Sequence, residues 1–272
     1  CPQRGEGKPV AETFVTAVVA QRPVAAGHYE LIAAHHPALD AVQPGQFINV
    51  RVARPGSWDP LLRRPFSLYR RFANGDWSIV YRVVGRGTEA LARLRPGDDI
   101  DVLGPLGRGF VKVPEARRLL LVGGGVGVPP LLFLAQTWQG QAEMKALLGF
   151  AEAGLAFGWT EFAALGIEAE VATDDGSLGH RGFVTDLLEN QLNRNEWDGL
   201  YACGPRPMLE AVARIACRAG VPCQLAFEEA MGCGVGACLS CVLPVRTEGG
   251  VQYQRVCREG PVFWAEEVYG HG

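Results

Sequence analysis

The feature that most constrains this chain lies near its C-terminal end, in the stretch MGCGVGACLSCVLPV. Cys233, Cys238 and Cys241 follow a C-x4-C-x2-C spacing, and Cys257 in RVCREGPVF comes after fifteen further residues. Three cysteines and three glycines share the ten residues from Gly232 to Cys241. Gly232, Gly234 and Gly236 permit the sharp bends by which one loop can present three thiolates to one side of a metal centre. They also let main-chain N–H groups approach the sulfurs with no Cβ in the way.

The first three cysteines match the plant-type spacing of a [2Fe-2S] cluster, and Cys257 supplies the fourth thiolate. Two other readings remain: a zinc ion held by the same four sulfurs, and buried free cysteines. Structural zinc usually uses paired C-x2-C knuckles, and only one such pair is present. Cys217 and Cys223 fall on a helical stretch and a strand start, where a thiol is most often a small core residue, and are assigned no chemistry. With eight cysteines in 272 residues, the chain is too large for a disulfide-stapled secreted domain, and a cytoplasmic, reducing setting is expected.

A chain of this length is expected to divide into two or three units. The formal net charge of -3 and the lack of a dense Lys/Arg run argue against nucleic acid as a partner. The longest apolar stretch, Leu119 to Ala135, is broken by four glycines and two prolines and is too short for a bilayer span, so no membrane is expected. No signal-peptide pattern is visible, and residues before about Val10 read as a loose Pro/Gly-rich tail.

From Glu12 to about Val113 short alternating runs (ETFVTAVVAQ, HYELIAA, QFINVRVA, PFSLYR, DWSIVYRVV and DIDVLG) predict a small antiparallel barrel. Within it, Arg64 in RRPFSLY can fork onto a phosphate with two charge-assisted bonds, and Ser67 is placed to reach a flavin ring. Gly87 and Thr88 open a helical stretch whose free N–H groups favour an anion. Taken singly, these are also readable as a strand-edge proline beside a surface arginine, and as an ordinary N-cap.

After Pro114 the period changes. LLLVGGGVGVPPLLFLAQTW reads as strand, glycine turn and helix; KALLGF, EAEVAT, GLYACG and CQLAF read as strands, separated by helical FVTDLLENQL and PMLEAVARIACRAG. This alternation predicts a parallel sheet with helices on both faces and ligands beyond the carboxyl ends of its strands. Gly123, Gly124, Gly125 and Gly127 let the main chain approach a diphosphate at a helix start. The turn is not G-x-G-x-x-G, and no acidic residue follows at the Rossmann distance. Asp174 and Asp175 read either as a solvated turn or as a ribose contact. No catalytic nucleophile set is apparent, and His28, His35, His36, His180 and His271 are scattered.

The elements RPFS, GRGT, DVLGPLGRGF, GGGVGVPP, ATDDGSLGHRGFVTDLL, CGPRPML, CGVGACLSCV and RVCREGPVF occur in this order from about Val10 to Val268. Together they resemble the ferredoxin reductase family, and within it the electron-transfer subunits of class 1B dihydroorotate dehydrogenases. The resemblance implies three units: an FAD-binding antiparallel barrel (9–113), an NAD-binding parallel-sheet α/β domain (114–225) and a small [2Fe-2S] domain (226–272). It implies an isoalloxazine packed against Arg64, Pro65, Phe66 and Ser67, with Val80, Tyr81 and Arg82 contacting the cofactor from the next strand. It implies NAD at the G-G-x-G-x-x-P turn of Gly124, Gly125 and Gly127, with Cys203 and Gly204 near the nicotinamide; Cys203 as a merely buried thiol is the other reading.

As the resemblance implies, an FMN-containing catalytic partner subunit oxidises dihydroorotate in pyrimidine biosynthesis. This chain would relay the electrons through the cluster and FAD to NAD+, in a heterotetramer of two of each, and alone would act as an NADH-dependent acceptor reductase. A nicotinamide moves a hydride, a cluster one electron, and a flavin can do both, so the flavin belongs between them. The loop from Gly232 to Ser240 is expected at the partner interface. Related flavin subunits of a hydrogenase, sulfur reductase or bifurcating transhydrogenase are the alternative, and a zinc-stabilised binding module without redox cofactors is a third.

Overall fold

The computed structural model describes residues 11–52, 56–194 and 196–270. The N-terminal tail before Val10 and His271 lie outside the described residues.

Six antiparallel strands close the first unit into a barrel: β1 (Glu12–Ala25), β2 (His28–Ala33), β3 (Phe47–Val50), β4 (Arg64–Arg71), β5 (Trp77–Arg82) and β6 (Asp99–Leu106), in the order β1-β2-β5-β4-β3-β6. A short helix, α1 (Arg86–Leu91), lies between β5 and β6. Alternate residues turn inward, so Ile48, Val50, Leu68, Trp77, Ile79 and Tyr81 fill the barrel while their neighbours face out.

The second unit begins with β7 (Arg118–Gly124), α2 (Val128–Thr137), β8 (Glu143–Phe150), α3 (Trp159–Ala164), β9 (Glu168–Thr173), a two-residue β10 (His180–Arg181) and α4 (Val184–Arg194). It continues with β11 (Gly199–Cys203), α5 (Arg206–Ala219) and β12 (Cys223–Ala226). Its strands are parallel, in the order β10-β9-β8-β7-β11-β12. The run RLLLVGG is apolar throughout because both faces are covered: Leu119 and Leu121 pack on one side of the sheet, Leu120 and Val122 on the other.

The last unit pairs β13 (Val242–Thr247) with β14 (Gly250–Arg255), followed by β15 (Val262–Trp264) and α6 (Ala265–Tyr269). The barrel, parallel sheet and C-terminal unit expected from the sequence are thus all present. One strand departs from that picture: β15 pairs antiparallel with β12 and extends the middle sheet. The C-terminal unit is therefore stitched into its neighbour rather than appended to it.

The units are pinned to one another. Gln136 on α2 accepts from Arg71 N at 2.8 Å and donates to Arg71 O at 2.6 Å, satisfying an edge of β4. The Tyr201 hydroxyl accepts from Val113 N at 2.9 Å, and Gln224 Oε1 accepts from Val111 N at 2.9 Å, which fixes the connection between barrel and sheet. Cys217 is exposed on α5, unlike the core position expected for it, whereas Cys223 is buried. Among the described residues no helix is long and apolar enough to cross a membrane.

Glu30 on β2 is fully buried and held by Arg70, through Nε at 2.7 Å and Nη2 at 2.8 Å, and by Arg22 Nε at 2.9 Å. Burial opposes its charge, but the hydrogen bonds and positive charge of Arg70, with help from Arg22, outweigh it and hold the carboxyl below its usual range. Its contribution to stability is complete above the unfolded-chain carboxylate range and is lost as pH falls through the folded value. Arg70→Ala leaves this carboxylate buried and short of its main partner. We expect a loss of about 3 kcal/mol at pH 7, shrinking toward pH 4 as Glu30 takes up a proton, measured by denaturant melts across that range.

Candidate functional site

Three sequence elements meet where the units join. At the start of β4, Arg63 is neutralised by Asp101, with Nη2 at 2.8 Å from Oδ1. Among the described residues its neighbour Arg64 donates only to main-chain carbonyls, Leu62 O at 2.6 Å and Arg63 O at 3.4 Å. The Arg64 guanidinium reaches the first turn of α1, where a Cβ added at Gly87 would lie 3.0 Å from Nε. The first N–H groups of a helix have no intrahelical partner, so a cation and unpaired donors face the same space, suited to a phosphate. The Thr88 hydroxyl is committed locally, accepting from Val84 N at 2.9 Å and donating to Gly85 O at 3.0 Å. Its side chain therefore organises the turn, and the main chain is left for an anion.

The remaining barrel residues split by strand alternation. Pro65 lines a cleft of about 630 Å³ that it shares with Leu62, Arg64, Arg206, Glu229 and Met231. Barrel, sheet and C-terminal unit each contribute to its wall. Ser67 lies opposite Phe47 across the β3–β4 pair. Phe66 turns toward the barrel interior, 5.9 Å from the Tyr81 ring. Tyr81 is itself buried, its hydroxyl donating to Gln21 Oε1 at 2.9 Å. Val80 packs with the apolar residues of α2, and Arg82 is exposed. The structure thus brings Arg64, Pro65 and Gly87 to one place and sets Tyr81 inside the barrel.

In the sheet, the glycine turn and the CGP element are in direct contact. Gly123 lies beside Cys203 in the β7–β11 register. A Cβ at Gly127 would lie 2.1 Å from Cys203 O and 2.7 Å from Gly204 N, so no side chain fits there. One at Gly204 would come 3.1 Å from Gly124 N. Gly125 sits at the mouth of this turn with φ 52°. The Cys203 thiol is pushed up to about 12 by burial and, secondarily, by Glu228. It is a neutral thiol at physiological pH, not a nucleophile.

The four C-terminal cysteines form two pairs. Cys233 and Cys238 lie together, Cys233 N donating to Cys238 Sγ at 3.4 Å, and Cys238 Sγ meets the Ser240 hydroxyl at 3.2 Å. Cys241 and Cys257 form the other pair, buried in the apolar core, with Cys257 N donating to Cys241 Sγ at 3.4 Å. Cys233 Sγ accepts from Ala237 N at 3.2 Å, Cys238 N at 3.4 Å and Val235 N at 3.5 Å. Burial opposes ionisation at Cys233, but these N–H groups outweigh it and lower its value. The Ser240 hydroxyl, then the Ser240 and Cys233 N–H groups, bring Cys238 to about 6. Cys257 is pushed to about 12, by burial first and then by Cys241.

This arrangement tests what the sulfurs can hold. Two pairs of thiols with aimed N–H donors suit a two-metal cluster, in which each metal takes two sulfurs, better than one tetrahedral zinc. Arg255 joins the halves, donating to Gly236 O at 2.9 Å while Nε is 2.9 Å from Glu259 Oε2.

One contact was not foreseen from the sequence. Gly234, φ 71°, packs on Asn49 of β3, whose Nδ2 would lie 1.9 Å from an added Cβ. In QFINVRVA a polar residue on the outward face reads as solvated, yet Asn49 is 2% exposed. Alternation gave its side but not what covers it.

Residues 228–269 match the family model of the iron-sulfur cluster binding domain of dihydroorotate dehydrogenase B. The chain is 49% identical over 256 residues to the dihydroorotate dehydrogenase B (NAD(+)), electron transfer subunit, of Bacillus caldolyticus, covering 92% of this chain and 96% of that protein. It is 44% identical over 261 residues to the subunit of the same name from Shouchella clausii, covering 92% and 96%. Among solved structures, an NADH-dependent reduced ferredoxin-NADP oxidoreductase superposes with a TM-score of 0.80 at 29% identity, over 93% of this chain and 89% of that one. The flavohem-like FAD/NAD binding domain of nitric oxide dioxygenase from Vibrio cholerae, at 20% identity and a TM-score of 0.62 over 76% and 93%, shares the fold.

The contact between turn and strand end makes a direct prediction. Gly127→Ala drives a methyl into the Cys203 carbonyl and is expected to cost about 2 kcal/mol. Gly154→Ala, where an added Cβ would meet Glu152 Oε1 at an ordinary contact distance of 3.5 Å, should stay within about 0.5 kcal/mol. Paired denaturant melts check both.

Proposed function

This chain belongs to the family of dihydroorotate dehydrogenase B electron transfer subunits, and from that premise we propose how its residues divide the work. It is an oxidoreductase subunit whose cofactors are FAD, a [2Fe-2S] cluster and NAD, and it serves a catalytic partner subunit. When bound, the nicotinamide exchanges a hydride, the cluster single electrons, and the flavin both. The observation that carries the assignment of sites is the shared cleft, walled by the phosphate-suited barrel strand, the start of α5 and the segment leading into Cys233.

In this reading Arg64 and the first turn of α1 hold the FAD diphosphate, and Pro65 and Ser67 form the strand against which its ring lies. Phe66 and Tyr81 support that strand from inside the barrel, and Val80 lies on the outer face of the next strand. The turn of Gly124, Gly125 and Gly127 receives the NAD diphosphate, and Cys203 and Gly204, neutral and close-packed, border the nicotinamide. Cys233, Cys238, Cys241 and Cys257 hold the cluster. The inner pair is anchored in the core and the outer pair is supplied with N–H donors that offset the charge on sulfur. The exposure of Val235 and Leu239 beside the outer pair supports a partner contact for the loop from Gly232 to Ser240.

The partner in this reading is an FMN-containing subunit that oxidises dihydroorotate, two of each forming a cytoplasmic heterotetramer. Co-purification tests it: the complex should carry FMN and reduce NAD+ with dihydroorotate, and a complex without FMN would remove the partner assignment. Two substitutions test the sites in this chain. Arg64→Ala removes charge-assisted bonds to a phosphate and should weaken FAD binding by about ten- to a hundredfold, read by flavin fluorescence on dilution. Cys238→Ser should abolish the visible absorbance of the cluster and lower iron content, whereas Cys217→Ser, on the exposed face of α5, should leave both unchanged.

A further inference from the structure

We propose that Asn49 is a positioning residue that seats the cluster loop against the flavin cleft and, through its carboxamide, favours the reduced state of the cluster. The proposal rests on the assignment of flavin and cluster sites given above.

The case begins with strand alternation. On β3, Ile48 and Val50 point into the barrel, whereas Phe47 packs among Cys241, Cys257 and Leu243. Asn49 shares the outward direction of Phe47. Across the strand pair it lies opposite Pro65, a wall of the cleft. Its other neighbour is Gly234, the residue after Cys233, packed so closely on Nδ2 that only glycine fits. One side chain therefore packs on the cluster loop from a position in register with Pro65 of the flavin strand.

Its chemistry is unexpected for mere packing. Asn49 Oδ1 is buried and has no hydrogen-bond partner among the described residues. A buried acceptor left unpaired is costly, and an apolar side chain of the same shape would fill the seam without that cost. What the amide offers that leucine cannot is an N–H dipole beside the loop of Cys233. Donors near cluster sulfurs raise the affinity of the cluster for an electron, and outer contacts of this kind tune metal centres. Displacing Gly234 would also disturb the N–H groups of Val235, Ala237 and Cys238 that point at Cys233 Sγ.

The test uses purified cofactor-loaded protein with measured flavin and iron content. NADH is oxidised to NAD+ as its hydride reduces the flavin, and the cluster then takes one electron, so stopped-flow absorbance separates two phases. Asn49→Leu keeps the shape and removes the dipole; Asn49→Asp keeps the shape and adds negative charge. The flavin phase should be unchanged in both. The cluster phase should slow in the order wild type, Asn49→Leu, Asn49→Asp, by about tenfold or more for the last, and the cluster potential from EPR-monitored titration should fall in the same order.

Wild-type potentials and rates in both variants would overturn the proposal, as would loss of iron from both, which would make Asn49 a structural seat only. If Asn49→Leu alone loses iron, Asn49→Asp decides: a lowered potential supports the proposal and an unchanged one overturns it. Wild-type protein without iron or flavin would instead remove the assignment of sites on which the proposal stands.

Discussion

Strands β3 and β4 carry the joints of this molecule because a strand turns successive side chains to opposite sides. Inward, Ile48, Val50 and Leu68 fill the barrel. Outward, Phe47 enters the core that holds Cys241 and Cys257, Asn49 meets Gly234, and Pro65 lines the cleft shared with Arg206 and Met231. A one-residue slip in the β3–β4 register would exchange these two sets, burying Asn49 in the barrel and pulling Phe47 out of the sulfur core. The site therefore depends on the register of two short strands as much as on its own residues.

Around that joint the chain handles charge by local means. A buried carboxylate, Glu30, is paired with two arginines inside the barrel unit. At the cleft Arg63 is tied to Asp101 while Arg64 is left to main-chain carbonyls, so one of two adjacent arginines is structural and the other is available to an anion. At the C-terminal loop main-chain N–H groups point at the Cys233 sulfur, and Arg255 adds a positive charge near Cys241 and Cys257. Dipoles fixed by backbone geometry need no rearrangement when charge on the metal centre changes, which suits a group that gains and loses electrons.

Local patterns were legible in the sequence where one stretch carries all the information. Cysteine spacing placed four sulfurs, two-residue alternation placed the barrel strands, and the strand–helix alternation after Pro114 announced a parallel sheet. Long-range placement was less visible. The three residues of β15 are too short to reveal that they add antiparallel to β12, and nothing local in QFINVRVA shows that Asn49 is covered by a loop nearly two hundred residues away. Tyr81 lies beside Val80 and Arg82 in a strand read as facing a cofactor, yet its ring is inside the barrel with its hydroxyl on Gln21. Membership of a strand could be read; which face each residue presents to which neighbour depended on the assembled units.

The central physical claim is that three redox sites share one seam, so that the two electrons of a hydride delivered at the sheet pass one at a time to the sulfurs, the flavin holding the other. An anaerobic titration of the isolated, cofactor-loaded chain with NADH, followed by absorbance and by EPR at low temperature, measures this directly. Flavin bleaching accompanied by the EPR signal of a reduced two-iron cluster is the predicted result. Full bleaching of the flavin with the cluster still oxidised, at a potential where it accepts electrons from dithionite, would contradict it.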